Sequence, residues 1–198
     1  MIRIPSIRGL SIEEISSMLD QTEAVPLACN PWPQYKADVK VSFAIAHSED
    51  AIFLKYYVKE KHLLANATLN GNIHEDSCVE FFIAFEGDTN YYNLEFNYLG
   101  TAKIGYGKDR TDRELLNESL IRTVDFVSTI RPAGWELILK IPAAVFNYQQ
   151  LSGLQASGNF YKCGDLLPAP HYLSWKMIQA PDPNFHCPEA FGTLQFLK

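Results

Sequence analysis

The chain has 198 residues, a formal net charge of −6 and 47% hydrophobic residues. That composition belongs to a folded chain and excludes a disordered one. An acidic balance lacks the basic face that sequence-independent nucleic-acid binding needs, and no apolar run approaches the roughly 18 residues of a membrane helix.

Taken in chain order, the first element predicted is a helix. Ser11 followed by Glu14 is a capping box, and Ile12, Ile15, Met18 and Leu19 share one helical face. A proline-rich stretch, Pro26 to Pro33, follows as loop or extended chain. Residues 1–35 therefore read as a helix and an extended segment packed on the domain formed by 36–198. Period-two alternation then takes over. Val39, Val41, Phe43 and Ile45 point one way, and after a turn at Ser48–Asp50 so do Ile52, Leu54, Tyr56 and Val58. This is a hairpin with one buried face. A second hairpin pairs Val79, Phe81 and Ile83 with Tyr92, Leu94, Phe96 and Tyr98 across the turn Glu86-Gly87-Asp88. Its opposite face then carries Glu80, Asn93, Glu95 and Asn97. A row of carboxylates and amides is more than solubility requires, and suits a ligand rich in hydroxyls.

The charged run Lys108–Glu114 places a polar connection over 101–120, with a strand predicted over 121–127. Trp135, Leu137, Leu139 and Ile141 alternate up to Pro142, which cannot donate to a ladder. A short helix is predicted within 143–155, short strands over 160–163 and 171–175, a loop over 179–190 and a last strand over 191–197. Phe, Tyr and Trp make up 13% of the chain, which favours strands. The fold class is therefore all-β: an antiparallel, immunoglobulin-like β-sandwich with a short N-terminal helix.

The motifs of common chemistries are missing. There is no GxSxG elbow and no glycine-rich phosphate loop. Cys29, Cys78, Cys163 and Cys187 form no CxxC pair, and read as free thiols of a cytosolic protein; a Cys163–Cys187 disulfide would belong to an exported one. Cys163, His171, His186 and Cys187 are zinc-type ligands without a closed-site spacing. Glu80 and Glu95 are the two carboxylates that a glycosidase would need. Met177 and His171 are the pair that a haem-binding or protein-interaction sandwich would offer. Phe185, in the loop Pro181–His186, is a candidate stacking platform for a sugar face, with His74 opposing it.

Several segments together resemble the family 9 carbohydrate-binding modules: Asp76-Ser77-Cys78-Val79-Glu80-Phe81-Phe82-Ile83, Tyr91–Asn97, Gly134-Trp135 running to Ile141-Pro142, Ser174-Trp175 and Pro188–Leu194. The runs Asn159–Asp165 and Pro170–Trp175 are similar to the free-standing bacterial branch of that family. The likeness covers residues 36–198. It implies a non-catalytic sandwich that binds a sugar or oligosaccharide, a link to glycan breakdown with a glycoside hydrolase as partner, and calcium as an ion that members often hold. The two tryptophan slots of the family's sugar clamp fall on Phe185 and on Ile73 or His74, and a family arginine falls on Glu95. The expected contact residues are His74, Asn93, Glu95, Asn97 and Phe185, with no catalytic residue, no metal ligand and no cofactor assigned. Neither nucleic acid nor membrane is expected as a partner. No secretory leader is read, so the expectation is a cytoplasmic protein unless a leader has been removed.

Overall fold

The computed structural model describes residues 1–8 and 11–198. In chain order these form β1 (Ile2–Ile4), α1 (Ile12–Leu19), β2 (Val25–Pro26), β3 (Lys40–His47), β4 (Ala51–Lys59), β5 (Cys78–Phe85), β6 (Tyr91–Asn97), β7 (Ala102–Gly107), β8 (Arg113–Leu115), α2 (Glu118–Ile121), β9 (Asp125–Arg131), β10 (Gly134–Pro142), β11 (Gln155–Cys163), β12 (Tyr172–Ser174) and β13 (Gly192–Phe196). Two sheets result. The larger runs β1-β13-β11-β5-β6-β7-β8, with β12 also paired to β11; the smaller runs β2-β3-β4-β10-β9. Neighbours are antiparallel except β1 and β13, which run parallel.

The alternating residues of the two hairpins and of β10 meet between the sheets. Phe43 from the small sheet stacks on Phe160 from the large one at 3.8 Å between ring centroids, and Phe160 stacks on Phe81 at 4.7 Å. All three rings are fully buried, and each such burial stabilises by roughly 1.5–3 kcal/mol.

A buried polar cluster interrupts this apolar interior. Lys162, on the inner face of β11, meets Glu60 at 3.0 Å and lies 3.0 Å from His171 Nε2. A lysine ammonium only donates, so His171 Nε2 accepts and its Nδ1–H donates to the carbonyl of Ala169 at 2.9 Å. Burial, and then the Lys162 charge, lower the His171 pKa to about 4.

The helix α1 forms where its capping box predicts. Glu14 N–H donates to Ser11 Oγ at 3.2 Å and Ser11 N–H to the Glu14 carboxylate at 2.8 Å. Its Ile15 and Leu19 pack on Ala44, Phe53 and Ile138, on the outward side of the small sheet. Asp20, just past the helix, receives Lys55 at 2.5 Å and the Tyr57 hydroxyl at 2.8 Å. Helix α1 thus covers part of the small sheet's outer face, while β9 at its edge stays largely exposed; the hollow lined by the row of carboxylates lies on the outer face of the large sheet.

Four boundaries differ from expectation. The connection predicted over 101–120 contains β7 and β8. Gly105 and Gly107 hid β7, because glycine carries no strand signal. Both are required by packing: a Cβ on Gly105 would sit 2.7 Å from Asn93 Oδ1, and one on Gly107 would collide with Arg113. The strand predicted over 121–127 is displaced to β9, because Asn117 Oδ1 accepts from Ser119 N–H and caps a helical turn first. The helix predicted within 143–155 is a single 3-10 turn, Ala143–Phe146. Finally, β11 begins at Gln155, five residues before the strand predicted there.

Candidate functional site

Strand register assembles the floor of the hollow. Across the outer face of the large sheet, one row reads Tyr161 (β11), Glu80 (β5), Glu95 (β6), Lys103 (β7). The next row reads Asn159, Phe82, Asn93, Gly105, and on the other side Cys163, Cys78 and Asn97 align. The hollow measures about 200 Å³; Glu80, Asn93, Glu95 and Cys163 lie at its floor, and its walls come from His74, Arg110, Arg113, Asp165, Tyr172 and the loop 183–186.

Phe185 is 8% exposed and stacks flat on Tyr161, with centroids 4.2 Å apart and planes at 9°. Trp32 backs it at 5.9 Å and donates its indole N–H to the Ala180 carbonyl at 2.8 Å. The extended N-terminal segment thereby braces the loop that walls the hollow. His186, next in that loop, reaches the Tyr91 hydroxyl at 2.8 Å and Arg113 at 3.2 Å, both through Nδ1. A guanidinium only donates, so Nδ1 accepts and the imidazole is neutral. Burial, and then the Arg113 charge, lower its pKa to about 3.

The floor is electrostatically tense. Glu80 and Glu95 are directly opposite on adjacent strands and both are buried. Burial first, and the Glu95 charge second, push the Glu80 pKa well above the ordinary carboxylate range. Contact with Glu95 raises the His74 pKa against the burial that lowers it. The imidazole stands 3.8 Å from Glu95 Oε2, too far for a hydrogen bond, so that oxygen has no direct partner. Asn93 Nδ2–H₂ donates to Glu95 Oε1 at 2.9 Å. Among the described residues, Asn93 Oδ1, Glu95 Oε2, Asp165 Oδ1 and Arg113 Nε are buried and unpartnered, and all four belong to residues lining this hollow.

Of the expected contact residues, the structure brings His74, Asn93, Glu95 and Phe185 together. Asn97 is a correction. It is fully buried, its Nδ2–H₂ donates to Asp76 at 2.9 Å, and its Oδ1 accepts from Leu99 and Thr101 N–H at 3.1 and 3.0 Å. It organises the turn after β6 and does not line the hollow. Asp76 in turn accepts from Asn66 and Ala67 N–H at 2.9 and 3.0 Å, and so anchors the loop entering β5. Lys103, Arg110, Arg113, Asp165, Tyr172 and His186 line the hollow but were not singled out from the sequence as contacts. The charged run 108–114 was the only signal for the two arginines.

Of the other sequence candidates, Glu80 and Glu95 do come together on the floor, whereas the disulfide, haem-type and zinc-type sets do not assemble. All four cysteines are free, and Cys163 faces Cys78 rather than Cys187. His171 is sealed on the inner face with Lys162, whereas Met177 is 52% exposed. His186 is engaged by Tyr91 and Arg113, so the four zinc-type residues form no cluster.

The chain and its sandwich fold find matches among known proteins. The model of carbohydrate-binding family 9 matches residues 13–196. The chain belongs to carbohydrate-binding family 9. The match begins inside α1 and so takes in the helix as well as the sandwich. A solved structure of a candidate carbohydrate-binding protein from Bacteroides uniformis ATCC 8492 is 38% identical, with a TM-score of 0.90 over 98% of both chains. Two structures of a family 9 module from Caldicellulosiruptor kristjanssonii share the fold. The one in complex with cellotriose has 13% identity and a TM-score of 0.69 over 99% of this chain and 94% of that one. The one in complex with glucose has 11% identity and a TM-score of 0.66 over 98% and 94%. No curated protein matches the chain.

The two neutral histidines predict an acid limb in the stability of this family 9 module. A histidine whose folded pKa lies below its unfolded value contributes fully above about pH 6.5, and that contribution fades as pH falls towards the folded pKa. For His171 and His186 the window runs from about 6.5 down to about 4 and about 3. Glu80 acts in the opposite sense: its raised pKa makes stability fall as pH rises above the usual carboxylate range. Melting temperatures from pH 7.5 to 4.5 should therefore fall less steeply for His186→Gln than for the unaltered protein. Parallel curves would contradict a neutral, buried His186.

Proposed function

We propose that this family 9 module binds the end of a sugar chain in the outer-face hollow, without catalysis, and serves glycan breakdown beside a glycoside hydrolase. The observation that carries the reading is the polar lining of that hollow: Asn93, Glu95, Asp165 and Arg113 each keep one polar atom without a protein partner, a supply of acceptors and donors that suits hydroxyls and not an apolar ligand. The hollow's roughly 200 Å³ is smaller than the ~300–1,000 Å³ of drug-sized sites, which fits one ring better than a long oligosaccharide. Phe185 is nearly buried against Tyr161, Trp32 and Tyr172, so it fixes the wall of the hollow and offers a sugar only the little of its ring that stays exposed. The opposing wall is His74, so aromatic stacking contributes little and affinity rests on the polar floor.

The relatives bound to glucose and cellotriose make those sugars the first to try. Calorimetric titration of glucose, cellotriose and a panel of other mono- and disaccharides into the full chain should give saturable one-site binding for at least one of them. Silence across the panel with folded protein rejects the reading for those sugars. Glu80 and Glu95 are the two carboxyls that hydrolysis would need, and they lie opposite each other on the floor. For a binding module chromogenic glycosides should stay intact; cleavage abolished by Glu80→Gln or Glu95→Gln would replace binding with catalysis.

A further inference from the structure

Beneath the hollow lies a cluster that sugar recognition leaves unused. Cys78 and Glu80 are two apart on β5 and so share its outer face, and Cys163 on β11 is directly opposite Cys78. Cys163 Sγ lies 3.1 Å and Cys78 Sγ 3.9 Å from the same oxygen, Glu80 Oε1, and the three donor atoms all fall within 4.8 Å of one another. All three residues are buried, yet Glu80 and Cys163 line the hollow, so the cluster has an entry path.

We propose that Cys78, Cys163 and Glu80 form a binding site for a zinc-class divalent cation, with the fourth position open to the hollow. Zinc takes sulfur at about 2.3 Å and carboxylate oxygen at about 2.0–2.2 Å in a tetrahedron. Those bond lengths put neighbouring donor atoms roughly 3.5–3.8 Å apart, and the two sulfur-to-oxygen separations here, 3.1 and 3.9 Å, bracket that spacing. Two thiolates select a soft or borderline metal over calcium or magnesium, which require shells of oxygen. As the two metal–sulfur bonds and the metal–carboxylate bond form, the two thiol protons leave, together with the Glu80 proton where that carboxyl is protonated, and the dication takes their place. The strand pair supplies the rigidity: three donors on two hydrogen-bonded strands are held at fixed register.

The test uses cobalt(II) as the optical probe on the reduced, chelator-treated full chain, with no sugar in any arm, so its outcome is separate from that of the sugar reading. One equivalent of cobalt should produce thiolate charge-transfer absorption in the near ultraviolet with the intense visible bands of a tetrahedral ion, and zinc should bleach both. Cys163→Ser and Cys78→Ser should each lose the signal, whereas Cys29→Ser and Cys187→Ser keep it. Because a serine at these buried positions can weaken folding, zinc should also raise the melting temperature of the unaltered protein and leave that of Cys163→Ser unmoved. A folded protein with no absorption, a signal that survives Cys163→Ser, or an intact mass showing a Cys78–Cys163 disulfide after purification under reductant would overturn the proposal.

Discussion

Glu60→Ala is expected to destabilise the fold by about 3–5 kcal/mol, the range for removing one partner of a buried ion pair. For a chain of this size that lowers Tm by roughly 6–20 °C. Lys162 has no exposed surface, and its ammonium meets Glu60 Oε2 at 3.0 Å in an orientation that makes the contact more an ion pair than a hydrogen bond. The other carboxylate oxygen accepts the Trp135 indole N–H at 2.6 Å. Without Glu60 the ammonium retains the neutral His171 and the Cys163 carbonyl, 2.7 Å away, but no negative charge. The indole is orphaned in the same step. Replacing both charges, with Glu60→Gln and Lys162→Met, should cost less than Glu60→Ala alone, because no buried charge is left uncompensated. Urea denaturation of the three proteins checks this. A loss under about 1 kcal/mol for Glu60→Ala would mean that the pair carries little of the fold's stability.

Glu95→Ala should weaken sugar binding by one to two orders of magnitude, the equivalent of about 1.5–3 kcal/mol for a hydrogen bond to a charged group. Glu95 is the best-placed acceptor on the floor: Oε1 is engaged by Asn93, and Oε2 is buried and unpartnered in the hollow. The same change removes the charge that presses on Glu80 and at the same time leaves the buried Asn93 amide without its partner, two opposing effects that should leave Tm little changed. That combination separates a contact residue from a structural one. Affinity lost at unchanged Tm, by calorimetry and thermal melting together, is the expected result; unchanged affinity would remove Glu95 from the contact face. Asn97→Ala should show the reverse, with stability lost through the turn after β6.

These expectations came from different depths of the sequence. Where a strand alternates cleanly, as in β3, β4, β5, β6 and β10, the residues that face the core and those that face outward were both readable, and with them the shared face of Glu80, Asn93 and Glu95. Alternation says which face a residue takes, but not what lies at the end of its strand. Asn97 fits the outward pattern, yet it sits where β6 turns, and the unpaired N–H groups of Leu99 and Thr101 claim its oxygen. Strand β7 was hidden because its site-facing position must be Gly105 to leave room for Asn93 and Arg113. Arg113, Asp165, Tyr172 and His186 reach the hollow from segments far apart in the chain, and no local spacing marks such a meeting. The cluster of Cys78, Glu80 and Cys163 escaped for the same reason: its third member arrives only when β11 pairs with β5.

Sugar should meet this family 9 module in the outer-face hollow of the large sheet and nowhere else. In amide-resolved NMR during titration with cellotriose, shifts should concentrate at Asn93, Glu95, Lys103, Asp165 and residues 184–186, while the amides of α1 and of β9 stay still. Shifts centred on the small sheet or on the β9 edge, with the hollow silent, would contradict that placement.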